Sequence, residues 1–209
     1  MNEVDPSTEQ LILEAARNVF LQKGMSGARM QDIADEAGIN KALLHYYFRN
    51  KSRLFEMIFR EALQKLLVSI KDIVDNDMSL EEKITTICVR YISMLSENPY
   101  LPLFVLHEIH QDPRRIIQFF KEKEIEFHLQ KFFLQIQDSI SHGSIRQVSP
   151  PQLMINIISL CVFPFAAGPL IKSIFGIDQW QFQMFVEERK KQVPEFVLAA
   201  LRPAINNPS

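Results

Sequence analysis

The stretch IADEAGINKALLHYYFRNKSRLF, residues 33–55, decides how the chain around it is read. Together with Met30, the residues Ile33, Ala34 and Ala37 line one side of a short helix, about Met30 to Ala37. Gly38 ends it. Asn40 then caps a second short helix, Lys41 to Phe48, and Asn50 caps a third that opens with Lys51, Ser52 and Arg53. In the helix between them, Leu44, Tyr47 and Phe48 are spaced to pack on Ile33 and Ala34. That leaves Lys41, Ala42, His45 and Tyr46 pointing outward. Two short helices joined by a tight glycine-bearing turn are the helix-turn-helix pattern. Its outward face, with an ammonium, an imidazole and a phenol, suits phosphates and base edges in a major groove.

Charge agrees with that reading without requiring it. The chain as a whole has a net charge of −2, yet Gly38 to Phe55 holds Lys41, Arg49, Lys51 and Arg53 and no acidic residue. Four like charges mark either a surface facing an anion or a solvated face. Lys51 adds a second pointer. A cation in the first turn of a helix opposes the helix dipole, and a phosphate in front of it would reverse that penalty. Arg29 stands just before the Met30 helix, where a helix N-terminus also meets phosphate.

Outward from this stretch the pattern stays helical, and period-two alternation is nowhere sustained. Upstream, Ser7 or Thr8 caps a helix whose apolar face is Leu11, Ile12, Ala15, Ala16, Val19 and Phe20, stopped at Lys23-Gly24. Downstream, the Lys51 helix keeps an apolar stripe to Asp75. Further helices follow over Leu80–Glu97, Leu101–His110, a long one from Asp112-Pro113 to Ser141, one opened by Ser149-Pro150-Pro151 and divided around Pro164 to Pro169 from a following helix, and a last one from Asp178 to about Leu201. The expected fold is all-α with about nine helices. Residues 1–52 would form a three-helix domain, and residues 53–209 a larger helical one. With 47% hydrophobic residues, 16 Phe and only 6 Gly, a bulky helical core is affordable and a disordered chain is excluded.

The run from Ile33 to Phe55 resembles the DNA-binding signature of TetR-type bacterial transcriptional regulators. Ile33-Ala34, Ala37-Gly38-Ile39, Lys41, Leu44, Tyr47-Phe48 and Lys51 followed by Leu54 carry the likeness, with Ala15-Ala16, Phe20 and Gly24 upstream. The resemblance covers about residues 8–55. It implies a double-stranded DNA operator as partner, a homodimer, and a small-molecule effector bound by the second domain. Tyr47 and Lys51 match positions that usually hold phosphate. Asn40, Lys41, Ala42, Leu43, His45 and Tyr46 match the recognition helix and its cap. Three departures bear on the operator. Leu43 stands where a hydroxyl residue or glycine is common, His45-Tyr46 reverses the commoner order, and Ala28-Arg29 replaces a frequent hydroxyl pair, leaving phosphate holding there to Arg29. The segments Pro151–Ala167 and Asp178–Leu201 resemble the two C-terminal helices that pair across the dimer axis. Leu153, Ile157, Leu160, Phe182, Phe185 and Arg189 are the expected face.

The second domain is dense in Phe, and most of these must be core. A subset lining an apolar cavity would take a hydrophobic effector, with Phe104, Phe127 and Phe163 as the apolar choices and His107 or Glu108 for polarity. His107-Glu108-Ile109-His110 is one residue short of the HExxH metal motif, so no metal is expected there. Cys88 and Cys161 lack a CxxC partner and read as buried reduced thiols. No phosphate-binding or dinucleotide glycine loop and no nucleophile elbow occurs, so neither a cofactor nor an enzymatic activity is expected. The apolar run Leu153 to Phe175 is broken by Pro164, Gly168 and Pro169 and reads as a buried helix pair rather than a membrane span. Met1 to Gln10 lacks a signal-peptide pattern, so a cytoplasmic location is expected. The alternative to a DNA-binding regulator is a small-molecule-binding protein with a degenerate helix-turn-helix.

Overall fold

The computed structural model describes residues 6–111 and 113–203. Among them the chain forms eleven helices and no strand: α1 (Pro6–Gly27), α2 (Met30–Glu36), α3 (Lys41–Tyr47), α4 (Lys51–Asp75), α5 (Leu80–Glu97), α6 (Leu101–Gln111), α7 (Pro113–Glu122), α8 (Ile125–Ser141), α9 (Pro150–Ala166), α10 (Gly168–Phe175) and α11 (Gln179–Leu201). The all-α fold is as expected. Eleven exceed the expected nine by two, and one of the two has a specific cause. The long helix read from Asp112 to Ser141 is cut at Glu124, which sits in the left-handed region at φ 53°. Lys-Glu-Lys-Glu contains no glycine or proline, so nothing local in the sequence announces that break.

The spine is α4, about 37 Å long at 1.5 Å per residue. It runs through residue 52 without interruption and buries Leu54, Phe55, Ile58, Phe59, Ala62, Leu63, Leu66 and Leu67 on one stripe. Helix α5 doubles back along it. Lys83 Nζ donates to the Val74 carbonyl at 2.8 Å near one end, and Arg90 donates to Ser69 Oγ at 2.9 Å farther along. Lys83 is buried; its ammonium neutralises the orphan carbonyls at the C-terminus of α4, while burial pulls its pKa below the usual lysine range. The end of α4 is also tied to α8, because Asp75 accepts from Lys131 at 2.7 Å and faces His128 Nδ1 at 3.2 Å.

Helices α9 and α11 close the other side of α5. Cys88 of α5 and Cys161 of α9 are both fully buried and free. Their mutual hydrogen bond and burial drive the Cys161 thiol far above its ordinary pKa, so it stays protonated. The break after Pro164 falls later than the proline itself. Pro164 is buried inside α9, and the chain turns at Ala167, where α9 and α10 meet at 72°. No single helix among the described residues is long and apolar enough to cross a membrane; α9 and α10 reach that length only together, across this bend.

Candidate nucleic-acid interface

Helices α1, α2 and α3 surround one small core. Ile12, Ala16, Phe20, Ile33, Ala34, Leu44 and Phe48 are all at most 2% exposed. The Phe20 ring meets Phe55 of α4 edge-on at 5.1 Å, which fixes this unit to the spine. Gly24 ends the regular part of α1 at φ 69°, ψ 171°, a conformation essentially reserved for glycine. A Cβ there would lie 3.3 Å from the Tyr100 hydroxyl, so the same position lets the start of α6 approach. Lys23 pairs with Asp32 at 2.9 Å and joins the end of α1 to α2. The Asp32 carboxylate also accepts from the Arg29 backbone N–H at 2.9 Å. These two contacts, Lys23 first, hold its pKa below the usual carboxylate range.

Gly38, at φ 65°, turns the chain between α2 and α3. Asn40 Oδ1 then accepts from the Leu43 N–H at 2.7 Å and caps α3. With Leu44 and Phe48 locked beneath, Lys41, Ala42, His45 and Tyr46 are exposed, Leu43 and Tyr47 half-buried. Tyr46, 63% exposed, stacks edge-on against Tyr47 with ring centroids 5.6 Å apart. This limits how far either phenol swings. His45 Nδ1 lies 3.3 Å from the Arg49 carbonyl, so Nε2 is the ring atom left for an outside partner.

The half-buried Lys51 has a contact that spacing does not reveal. Its Nζ donates to the Ala28 carbonyl at 2.8 Å, across 23 residues. That carbonyl lies immediately before Arg29, the N-cap of α2. Lys51 thus brings the N-termini of α2 and α4 together, with the exposed Arg29 beside them. Asn50 completes the start of α4 by accepting from the Arg53 N–H at 2.8 Å. The open groove along the first turns of α4, about 600 Å³, is lined by Ser52, Arg53, Glu56 and Arg60. The expected site residues include neither Arg53 nor Arg60; the two lie seven residues apart on one face of α4, where Arg60 Nε pairs with Glu56 at 3.2 Å.

The expected effector residues do not converge. Phe104 is buried at 7% exposure and packs on Phe55 and Phe59, with centroids 5.7 and 5.6 Å away. Phe127 and Phe163 point out, at 55% and 61% exposure. The inward stripe of α8 is Ile125, His128, Phe132 and Ile136, and Phe127 lies about 100° around the helix from His128. His107 is exposed, and the side chain of Glu108 lies outside the described residues. His110 is occupied locally, its Nδ1 2.7 Å from the Leu106 carbonyl.

The residues of the expected dimer face divide between buried and half-buried positions of the protomer. Leu153, Ile157 and Phe182 are at most 9% exposed and belong to the protomer's own core. Leu160, Phe185 and Arg189 are half-buried, and Arg189 donates to the Leu160 carbonyl at 2.6 Å. Periodicity identified the apolar stripe but could not tell which of two apolar faces turns inward. The outward face of α9, α10 and α11 carries Ile155, Leu170, Ile174, Phe175, Trp180 and Phe196, each more than half exposed.

Residues 12–58 match the family described as bacterial regulatory proteins, tetR family. The chain is 26% identical to the probable HTH-type transcriptional regulator YttP of Bacillus subtilis over 194 residues, 88% of this chain and 91% of that protein. It is 32% identical to the HTH-type transcriptional repressor KstR2 of Mycolicibacterium smegmatis over 74 residues, 35% of this chain and 36% of that one. Its fold is similar to FadR of Bacillus subtilis, solved in complex with stearoyl-CoA, with a TM-score of 0.60 at 16% identity over 92% of this chain and 99% of the other. A comparable likeness holds for PfmR of Thermus thermophilus, with a TM-score of 0.62 at 18% identity over 92% and 98% of the two chains.

Proposed function

We propose that the chain is a DNA-binding transcriptional regulator of the tetR type, whose family model its residues 12–58 match, and that it acts as a cytoplasmic, homodimeric repressor released from a near-palindromic operator by a small hydrophobic effector. The observation that carries the reading is α3: a helix pinned from behind by Leu44 and Phe48, with Lys41, His45 and Tyr46 outward. Arg29, Tyr47 and Lys51 hold the phosphates on either side, and Asn40 sets the register of the helix by capping it. Ala42 and Leu43 offer only apolar contact, suited to a thymine methyl. No catalytic reaction is assigned to the chain.

A two-fold dimer places one such helix in each half-site, one helical turn of DNA apart. The exposed apolar residues of α9, α10 and α11 supply its natural interface, since a large exposed apolar patch marks a contact surface. The effector belongs to the part of the chain beyond residue 52. KstR2 is a repressor and FadR was solved with an acyl-CoA, which supports both the sign of regulation and a hydrophobic effector. The effector releases DNA to the extent that it binds the non-reading state more tightly.

Capture of fragmented genomic DNA by the full-length protein, followed by sequencing and titration at two salt concentrations, tests the reading. A recovered inverted repeat, with affinity falling steeply as salt rises, is the expected result. Recovery without sequence preference or salt dependence would instead indicate a small-molecule-binding protein with a degenerate helix-turn-helix.

A further inference from the structure

A cleft of about 330 Å³ opens where α1, α4 and α5 meet. It lies within the usual size range of small-ligand sites, roughly 300–1,000 Å³. Its floor is apolar, built from Ala62 and Leu66 of α4 and Val89 and Met94 of α5. Its rim carries Arg17 of α1, Lys65 of α4 and Arg90 of α5, with Glu97 the one acidic lining residue. Three cations thus converge from three helices.

Their existing partners leave capacity for an anion. Arg90 donates to Ser69 Oγ through one nitrogen at 2.9 Å, and a guanidinium carries five N–H donors. Lys65 and Arg17 share Glu61, at 2.5 and 3.6 Å, the second a long contact. Arg17 Nε is buried and has no hydrogen-bond partner among the described residues. A buried guanidinium nitrogen without an acceptor is costly, and buried polar groups of this kind are usually satisfied. An incoming carboxylate supplies the missing acceptor, and guanidinium-carboxylate hydrogen bonds are among the stronger ones.

We infer that this cleft binds a small amphipathic carboxylate, its head on Arg17, Lys65 and Arg90 and its apolar part on Ala62, Leu66 and Met94. The ligand would touch α1, which carries the DNA-reading unit, and α5, which does not. Binding itself does not depend on DNA, so this inference and the regulator reading fail separately.

The test uses full-length protein with ¹³C-methyl methionine, in which Met94 reports from the cleft floor. Sodium octanoate is titrated against 1-octanol of the same chain length. Octanoate moves the Met94 resonance at a concentration at least tenfold lower than octanol does. Arg90→Gln, at an exposed position, weakens octanoate at least tenfold, while octanol is unchanged. Ser93→Phe, which fills the cleft, abolishes the Met94 response to both at unchanged thermal midpoint. An unmoved Met94, equal responses to acid and alcohol, or an Arg90→Gln protein that binds octanoate like the parent overturns the proposal.

Discussion

Lys51 does two things with one ammonium group, and they have different readouts. It donates to the Ala28 carbonyl, which holds the starts of α2 and α4 together, and it presents positive charge beside Arg29. On the proposed role of Lys51 as a phosphate contact, removing it subtracts charge from the DNA-facing surface, so Lys51→Ala lowers affinity about tenfold on every duplex tested. The slope of log affinity against log salt falls by about 0.9, the share of one phosphate. Tyr46 differs because it stands exposed on the reading face. Tyr46→Ala changes the rank order of duplexes and leaves the salt slope alone. Anisotropy titrations on a small panel of duplexes at several salt concentrations separate the two, and identical behaviour would sink both assignments. At this scale the sequence was legible where side chains act locally. The caps at Asn40 and Asn50 follow from neighbours three residues away. The Lys51–Ala28 bond spans 23 residues and has no local signature.

Among the elements, α1 shows how a stop signal acquires a second duty. Gly24 was readable as a helix stop from Lys23-Gly24 alone. Its approach to Tyr100 was not, because that contact joins α1 to the segment before α6. Gly24→Ala therefore suffers twice, from φ 69° and from a Cβ 3.3 Å from the Tyr100 hydroxyl. Stability falls by about 2 kcal/mol, the middle of the range for a residue held in such a region. Urea unfolding followed by circular dichroism measures this; a change below about 0.5 kcal/mol would show that the turn relaxes freely. Helix boundaries with glycine, proline or a capping side chain were legible within a residue or two. The break at Glu124 was not, since no glycine, proline or capping side chain marks it and a left-handed Glu goes against that residue's own preference.

For the whole molecule, the decisive question is which apolar residues face inward. Leu153 and Phe196 look alike in sequence, yet one is 7% and the other 66% exposed. With the proposed homodimer seated on this outward face, changing Trp180 and Phe196 together to Glu yields a species of the 24.3 kDa chain mass in light scattering where the parent has twice that mass, with helical content unchanged. Leu153→Ala instead leaves the mass dimeric and lowers unfolding stability by about 3 kcal/mol, as core truncations do. A double variant that remains dimeric would place the interface elsewhere. The sequence by itself determined the all-helical class, the two short helices about Gly38, and the outward face of α3, because each follows from spacings under about eight residues. Tertiary structure alone decided the inward face of α8, α9 and α11, the bridge from Lys51 to Ala28, and the cleft where Arg17, Lys65 and Arg90 meet. Those depend on helices distant in the chain, and a helix that is apolar on two sides holds no local record of which side its neighbours cover.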